Sequence, residues 1–226
     1  MNNFSPPKKH LQAVVFDLDG LMFNTEDLYQ QVGREVLARR GKLLTGDLID
    51  QVMGRKSPDA LQVMIDWHHL DDSPQGLADE SMEIMFGLLP EQLAPMSGLL
   101  ALLDALEEAD IPKGVATSSS RPFVARVLAQ FELSPRFAFT LTAEDIAHGK
   151  PAPDVYQLAA EKHQLAPAEI MVLEDSQIGS QAAVAANCYV VAVPSGQSTE
   201  HNFDGVGLIA DSLSDPRIYA ALGLMR

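Results

Sequence analysis

The chain has 226 residues, of which 46% are hydrophobic and 21% are charged, and its formal net charge is −15. This length suffices for one large domain, or for a core that carries an inserted second unit. The acidic balance argues against binding along a nucleic-acid polymer, because that affinity depends on clustered Lys and Arg, but it leaves room for a small phosphorylated metabolite as partner.

The sequence shows no sign of a membrane or secreted protein. No apolar run approaches the ~20 residues that span a bilayer, and the first ten residues lack the apolar stretch of a secretory signal. Cys188 is the single cysteine, which excludes an intramolecular disulfide and is typical of a reducing compartment. We therefore expect a cytoplasmic protein with no membrane partner, and a monomer, with a weak dimer as the alternative.

The first predicted element is a buried strand at residues 13–16, which runs directly into two carboxylates. Asp17 and Asp19 stand one residue apart and are followed by Gly20. Open α/β sheets bind ligands at the carboxyl ends of their strands, so a functional site is expected here. Two crowded carboxylates either raise one pKa or require a cation, and oxygen ligands suit a divalent metal. Taken alone, the pattern Asp-x-Asp-Gly is also typical of a turn.

Residues 26–92 predict an inserted all-helical domain. Apolar residues such as Leu28 and Val32 recur at helical spacing, and no segment has the pattern of a strand. Residues 1–25 and 93–226 would then form the catalytic core.

From Pro95 onwards strands and helices alternate, which predicts an α/β fold with a Rossmann-like, doubly wound parallel sheet. The predicted elements are a helix at 98–109 with Ser97 as its N-cap, a strand at 113–116, a helix at 121–131, a strand near 137–141, a helix at 154–163, a strand at 170–173, a helix at 178–186, a strand at 189–193 and a weaker strand at 206–210.

Chemically matched side chains follow several of these strands. Besides Asp17 and Asp19 they are, in chain order, Thr117, Ser118, Ser119, Lys150, Glu174 and Asp175. Because the carboxyl ends of parallel strands lie at one edge of a sheet, acids, hydroxyls and one cation are expected to converge there.

Four motifs in this order resemble the haloacid dehalogenase superfamily, in its phosphatase and phosphomutase branch with a helical cap. The motifs are Asp17-Leu18-Asp19-Gly20-Leu21, Ala116-Thr117-Ser118-Ser119, Gly149-Lys150-Pro151-Ala152-Pro153-Asp154 and Leu173-Glu174-Asp175-Ser176. Each motif is weak by itself, but the ordered set spans nearly the whole chain.

The resemblance implies phosphoryl transfer with two distinct acids. Asp17 would attack phosphorus and form an aspartyl-phosphate, while Asp19 would act as general acid on the leaving alkoxide and as general base on water. Thr117 would hydrogen-bond the transferring phosphoryl group, with Ser118 and Ser119 beside it as substrate-binding residues.

The resemblance also implies Mg²⁺ as the cofactor. Its ligands would be Asp17, the backbone carbonyl of Asp19, Asp175, and Glu174 either directly or through water. Lys150 would lie between Asp17 and the phosphoryl group as a catalytic residue, whereas in isolation the same lysine would be assigned to a solvated loop.

Within the superfamily the residues favour a phosphatase. Metal-free dehalogenases use one aspartate, so Asp19 and the Glu174-Asp175 pair argue for phosphoryl transfer. Sugar phosphomutases of the β-phosphoglucomutase type share the core, but they carry a His where this chain has Tyr29 and an Arg near Ser57. We therefore expect a Mg²⁺-dependent phosphatase of a sugar or nucleoside phosphate. The alternatives are a β-phosphoglucomutase-like phosphomutase and, less favoured, a catalytically silent binding protein.

The cap segment that contains Arg55 and Lys56 resembles that of pseudouridine-5′-phosphatases and related sugar-phosphate phosphatases. Either side chain could bind the polar part of a small phosphate ester. A solvated basic pair at a helix start explains the same two residues equally well.

Overall fold

The structure, a computed structural model, describes residues 4–52 and 57–224 of the chain. The chain divides into two compact units, one formed by Met1–Asn24 with Ala94–Arg226 and the other by Thr25–Leu93. In its described residues the second unit is all-helical. Its role as a cap domain stays a prediction.

The helices of the described residues are, in chain order, α1 Thr25–Ala38, α2 Gly46–Val52, α3 Ser57–His68, α4 Pro74–Gln92, α5 Leu99–Glu108, α6 Arg121–Gln130, α7 Asp154–His163, α8 Gln177–Ala185 and α9 Pro216–Ala221. In the ranges that the structure describes, none of them combines the length and apolar character needed to cross a bilayer.

The first unit is built on a parallel sheet. Its strands are β1 Ala13–Phe16, β2 Lys113–Ala116, β3 Thr140–Leu141, β4 Ile170–Glu174, β5 Tyr189–Ala192 and β6 Leu208–Ile209. Neighbouring strands in the order β3-β2-β1-β4-β5-β6 are parallel to each other. Val15 of β1 lies opposite Gly114 of β2 on one side and Val172 of β4 on the other. The central strand β1 and its two neighbours therefore end at the same edge.

The burial of β1 explains why its sequence is apolar throughout. All four residues of β1 are fully buried, as expected for a parallel strand that is covered on both faces. Helix α7 contributes Val155 and Tyr156 to the same hydrophobic cluster as Val15 and Val172. The predicted α/β fold with a Rossmann-like parallel sheet is confirmed.

Several predicted boundaries were wrong, and the weaker strand predicted at 206–210 is limited to Leu208–Ile209. Two further boundaries show what displaced them. Helix α5 begins at Leu99, and its N-cap is Gly98 rather than Ser97. Gly98 has a φ of 88°, and an added Cβ would overlap the backbone of Ser214, so only glycine fits this close approach. Strand β3 is limited to Thr140–Leu141, because the chain before it forms a 3-10 turn at Ser134–Arg136 and only then joins β2.

In the second unit, Arg40 ties together three separate segments. Its guanidinium donates to both carboxylate oxygens of Asp72 at 2.8 Å, to Glu80 of α4 at 2.7 Å and to the backbone carbonyl of Val36 at 2.8 Å. Four-fifths of the Arg40 side chain is buried, since its relative exposure is 20%. A planar guanidinium suits this bidentate arrangement, which links the end of α1 to α4.

Arg40→Ala is expected to lower the free energy of unfolding of this unit by about 2 kcal/mol, because two partly buried carboxylates lose a hydrogen-bonded cation. Arg39→Ala is the matched control, since Arg39 also binds Glu80 but is half exposed, and its effect should be much smaller. Urea unfolding followed by circular dichroism measures both variants. Equal losses would contradict the structural role assigned to Arg40.

Candidate active site

The candidate site lies at the carboxyl ends of the three central strands of the first unit. Asp17 directly follows β1, Thr117 follows β2, and Glu174 ends β4 with Asp175 next to it. All four residues are buried, with relative exposures between 0% and 6%. The parallel sheet thus brings together residues that lie more than 150 positions apart in the sequence.

Lys150 reaches this group from the loop that precedes α7. Its ammonium donates to Asp17 Oδ1, to Glu174 Oε1 at 2.6 Å and to the backbone carbonyl of Ala116 at 3.2 Å. An ammonium has three N–H groups, so these three acceptors account for all of them. Burial lowers the pKa of Lys150, but the charges of Asp17 and Glu174 outweigh this effect and raise the pKa well above its usual value.

The pKa of Asp17 is raised to about 8. Burial is the largest cause, Lys150 acts against it, and the nearby charges of Glu174 and Asp19 act in the same direction as burial. The ionised form of Asp17 is therefore costly in this environment without additional positive charge. One lysine does not neutralise the group of acids around it.

The carboxylates fit a divalent metal ion. Asp17, Glu174 and Asp175 each offer an oxygen within 4.8 Å of the others, and all three residues are buried. Donor sets made only of oxygen suit Mg²⁺ and other hard cations, and a cation would supply the positive charge that Asp17 lacks. The residues present therefore fit the predicted metal.

Glu174 is surrounded by protein donors. Its Oε1 accepts from Lys150 at 2.6 Å and from the Tyr156 hydroxyl at 2.6 Å. Its Oε2 accepts from the backbone N–H of Ser176 at 3.3 Å and from the Ser176 hydroxyl at 3.0 Å. An added Cβ at Gly179 would overlap this carboxylate, so a glycine is required there. These four donors occupy the lone-pair directions of both oxygens.

Asp19 is held by the loop that follows β2. The Ser119 hydroxyl donates to Asp19 Oδ2 at 2.6 Å, and the Thr117 hydroxyl donates to the same oxygen at 3.3 Å. The backbone N–H of Ser119 in turn donates to the Thr117 hydroxyl at 3.0 Å. Ser118 lies exposed between these two residues at the entry to α6. The structure therefore brings Thr117 and Ser119 to the second acid.

The two predicted substrate-binding residues of the cap segment, Arg55 and Lys56, lie outside the described residues. Tyr29, on α1, is 43% exposed.

Sequence reasoning missed Tyr156, and it gave Ser176, the last residue of the fourth motif, no role. Tyr156 occupies a buried position on α7 where an aromatic side chain is expected to pack in the core. The available signal was its hydroxyl, since a buried tyrosine usually needs a hydrogen-bond partner. Ser176 carries the N-cap of α8, where its hydroxyl also accepts from Gly179 N at 3.1 Å.

Comparison with known proteins identifies the family. Residues 14–193 match the haloacid dehalogenase-like hydrolase family. Hexitol phosphatase A of Escherichia coli is 31% identical over 204 residues, which cover 89% of this chain and 91% of that protein. The probable pseudouridine-5′-phosphatase of Drosophila melanogaster is 30% identical over 207 residues, which cover 89% of each protein.

Among solved structures, the β-phosphoglucomutase of Clostridium difficile matches with a TM-score of 0.76 at 20% identity, over 94% of this chain and 97% of that chain. At this identity the likeness is one of fold. The family match and the two phosphatase relatives confirm the resemblance that the four motifs predicted. The chain therefore belongs to the haloacid dehalogenase-like hydrolases, in their branch of phosphoric monoester hydrolases.

Proposed function

We propose that the protein is a Mg²⁺-dependent phosphatase that hydrolyses a small phosphate monoester through an aspartyl-phosphate. The observation that carries the proposal is the buried pairing of Asp17 with Lys150, beside the acid Asp175. A carboxylate is a weak nucleophile in water, and it becomes effective when its approach to phosphorus is fixed and the repulsion between anions is offset. The pairing supports both conditions.

In the first proposed step Asp17 attacks phosphorus, the bond from phosphorus to the ester oxygen breaks, and Asp19 donates a proton to the departing alkoxide. In the second step Asp19 takes a proton from water, whose oxygen attacks the aspartyl-phosphate. Inorganic phosphate leaves and the Asp17 carboxylate is restored. The hydrogen bonds from Ser119 and Thr117 support this role for Asp19, because they orient its carboxylate.

Mg²⁺, when bound, offsets the negative charge of the phosphoryl oxygens. We propose Asp17 and Asp175 as its carboxylate ligands and the backbone carbonyl of Asp19 as a further ligand. In this proposal Glu174 contributes negative charge beside the ion rather than a ligand oxygen, because protein donors already occupy both of its oxygens. Magnesium commonly keeps several waters and few carboxylates, which agrees with this ligand set.

Magnesium is expected to stabilise the protein against heat. A concentration of about 100 times the dissociation constant should add about 2.7 kcal/mol to the free energy of unfolding. Asp175→Asn should lose most of the resulting shift in Tm, whereas Asp110→Asn, at an exposed turn, should keep it. Differential scanning calorimetry with Mg²⁺ and with EDTA measures the shift. An unchanged shift in Asp175→Asn would remove Asp175 from the proposed ligands.

For the substrate we propose a phosphorylated sugar, sugar alcohol or nucleoside. The proposal follows the names of the two relatives, a hexitol phosphatase and a pseudouridine-5′-phosphatase. We further propose that the enzyme acts as a monomer on such a metabolite in the cytoplasm.

Release of inorganic phosphate from p-nitrophenyl phosphate tests the proposed reaction. We expect release with Mg²⁺ and its loss with excess EDTA, and a panel of phosphate esters would then identify the substrate class. If no ester in the panel released phosphate with Mg²⁺, the proposed reaction would be wrong.

The likeness of fold to a β-phosphoglucomutase keeps an isomerising phosphomutase as a second candidate. In that reaction a second hydroxyl of the sugar, rather than water, takes the phosphoryl group. Incubation with a hexose 1-phosphate separates the two. Formation of the 6-phosphate without inorganic phosphate would favour the mutase, and free phosphate without isomerisation would favour the phosphatase.

A further inference from the structure

Tyr156 makes a contact at the candidate site that the proposed reaction does not use. Its side chain is fully buried on α7, and its hydroxyl donates to Glu174 Oε1 at 2.6 Å. Lys150 donates to the same oxygen at 2.6 Å, and its ammonium lies 5.1 Å from the centre of the Tyr156 ring. Tyr156 thus contacts both the lysine and the carboxylate that binds it.

Glu174 is the fixed support of Lys150. The other carboxylate partner of the lysine, Asp17, is the proposed nucleophile and changes its charge and bonding during the reaction. Glu174 forms no covalent bond in the proposed reaction, and hydrogen bonds to both of its carboxylate oxygens set its orientation. Tyr156 binds one of its oxygens, and Ser176 binds the other through its N–H and its hydroxyl.

The Tyr156 hydroxyl is the donor of this hydrogen bond, because an ionised carboxylate offers only acceptor oxygens. Since the Tyr156 side chain is fully buried, packing on α7 fixes the position from which its hydroxyl donates.

We propose that Tyr156 is a positioning residue for phosphoryl transfer. It orients Glu174, and Glu174 in turn holds the ammonium of Lys150 against Asp17. The inference rests on the proposed function, because it assigns to Lys150 a role in the reaction. It goes beyond that function because it assigns to Tyr156, a residue of α7, the positioning of the proposed catalytic lysine. Small errors in the placement of a charged group at a reacting centre reduce the rate of the chemical step more than they reduce substrate binding.

Tyr156→Phe removes the hydroxyl and keeps the ring, so it tests the hydrogen bond alone. We expect kcat with Mg²⁺ to fall about tenfold while KM changes by less than about twofold. Tyr189→Phe is the matched control, because it also removes a phenol hydroxyl, one that donates to the backbone carbonyl of Ser5 at 2.9 Å. The control should keep its kcat. A Tyr156→Phe enzyme with wild-type kcat would overturn the inference.

A double-mutant cycle with Lys150→Ala tests whether Tyr156 acts through the lysine. If it does, adding Tyr156→Phe to Lys150→Ala should change the residual rate by less than about twofold. A loss that remains about tenfold in the absence of the lysine would show that Tyr156 acts by another route, and the inference would be wrong.

A spectroscopic measurement separates this inference from the proposed function. In a ¹H–¹⁵N spectrum of the lysine ammonium groups, the signal of Lys150 is identified by its absence in Lys150→Ala. Tyr156→Phe should shift or broaden this signal, and Tyr189→Phe should leave it unchanged. If the wild-type protein released no phosphate but the signal responded as expected, the proposed reaction would fail and the support of Lys150 would stand. An unchanged signal in Tyr156→Phe would refute the support itself.

Discussion

Asp17→Asn is expected to reduce the rate of phosphate release at least about a thousandfold while the protein stays folded. The amide of Asn has nearly the shape of the carboxylate but cannot attack phosphorus to form the covalent intermediate. The rate with p-nitrophenyl phosphate and Mg²⁺ measures the loss. Asp110→Asn is the control, because Asp110 is exposed and has a φ of 54°, a conformation that Asn also tolerates.

The same variant carries a prediction about stability. Because the pKa of Asp17 is raised to about 8 in the folded protein, ionisation of Asp17 costs stability progressively as the pH rises from its unfolded pKa of about 4 towards 8. Asp17→Asn removes this cost, so in EDTA at pH 7 its Tm should equal or exceed that of the wild type.

The rate measurement decides the role of Asp17. A folded Asp17→Asn variant that kept more than a tenth of the wild-type rate would exclude Asp17 as the nucleophile.

Lys150→Ala is expected to lose most activity, by a factor of roughly a thousand. A pair of unit charges at ~4 Å and an effective dielectric constant of ~20 is worth about 4 kcal/mol, and this energy corresponds to that factor in rate. Initial rates at saturating Mg²⁺ measure the effect. The exposed lysine Lys162, in the last turn of α7, provides the control variant Lys162→Ala, which should keep its rate.

Stability should also respond to the loss of this lysine. Asp17 and Glu174 remain buried without their shared cation, so Tm should fall although the fold persists. If Lys150→Ala kept more than half of the wild-type rate, the assignment of Lys150 as a catalytic residue would be wrong.

The central part of the fold could be predicted because its strands and helices are indicated by sequence patterns within short segments. Residues 13–16 are a short apolar run between Gln12 and Asp17, and the structure has a strand there. The strand predicted at residues 113–116 is also present. Helix α7 likewise begins at Asp154 and ends at His163, as predicted. Convergence of the site followed from the parallel sheet, because its topology brings the residues after several strands to one edge.

What the sequence did not reveal depends on contacts between distant segments. The N-cap of α5 is set by the approach of Gly98 to Ser214, more than a hundred residues away. In the sequence Tyr156 cannot be told from an ordinary core residue, because only the structure shows that its hydroxyl donates a hydrogen bond to Glu174. Helix α9 was missed although Asp215 accepts from the N–H of Arg217 as its N-cap, because the helix is only six residues long and has little periodicity.

The position of β1 in the sheet also bears on how the protein forms during synthesis. Residues 13–16 leave the ribosome early, but their two neighbours, residues 113–116 and 170–174, emerge about a hundred and about a hundred and fifty residues later. The unit Thr25–Leu93, by contrast, is one continuous stretch of chain. Pairings between such distant segments form slowly, because a long loop must close before any contact is gained. The strand before the proposed nucleophile Asp17 therefore lacks its second neighbour until residues 170–174 have been made, and the appearance of activity would report that the central sheet has closed.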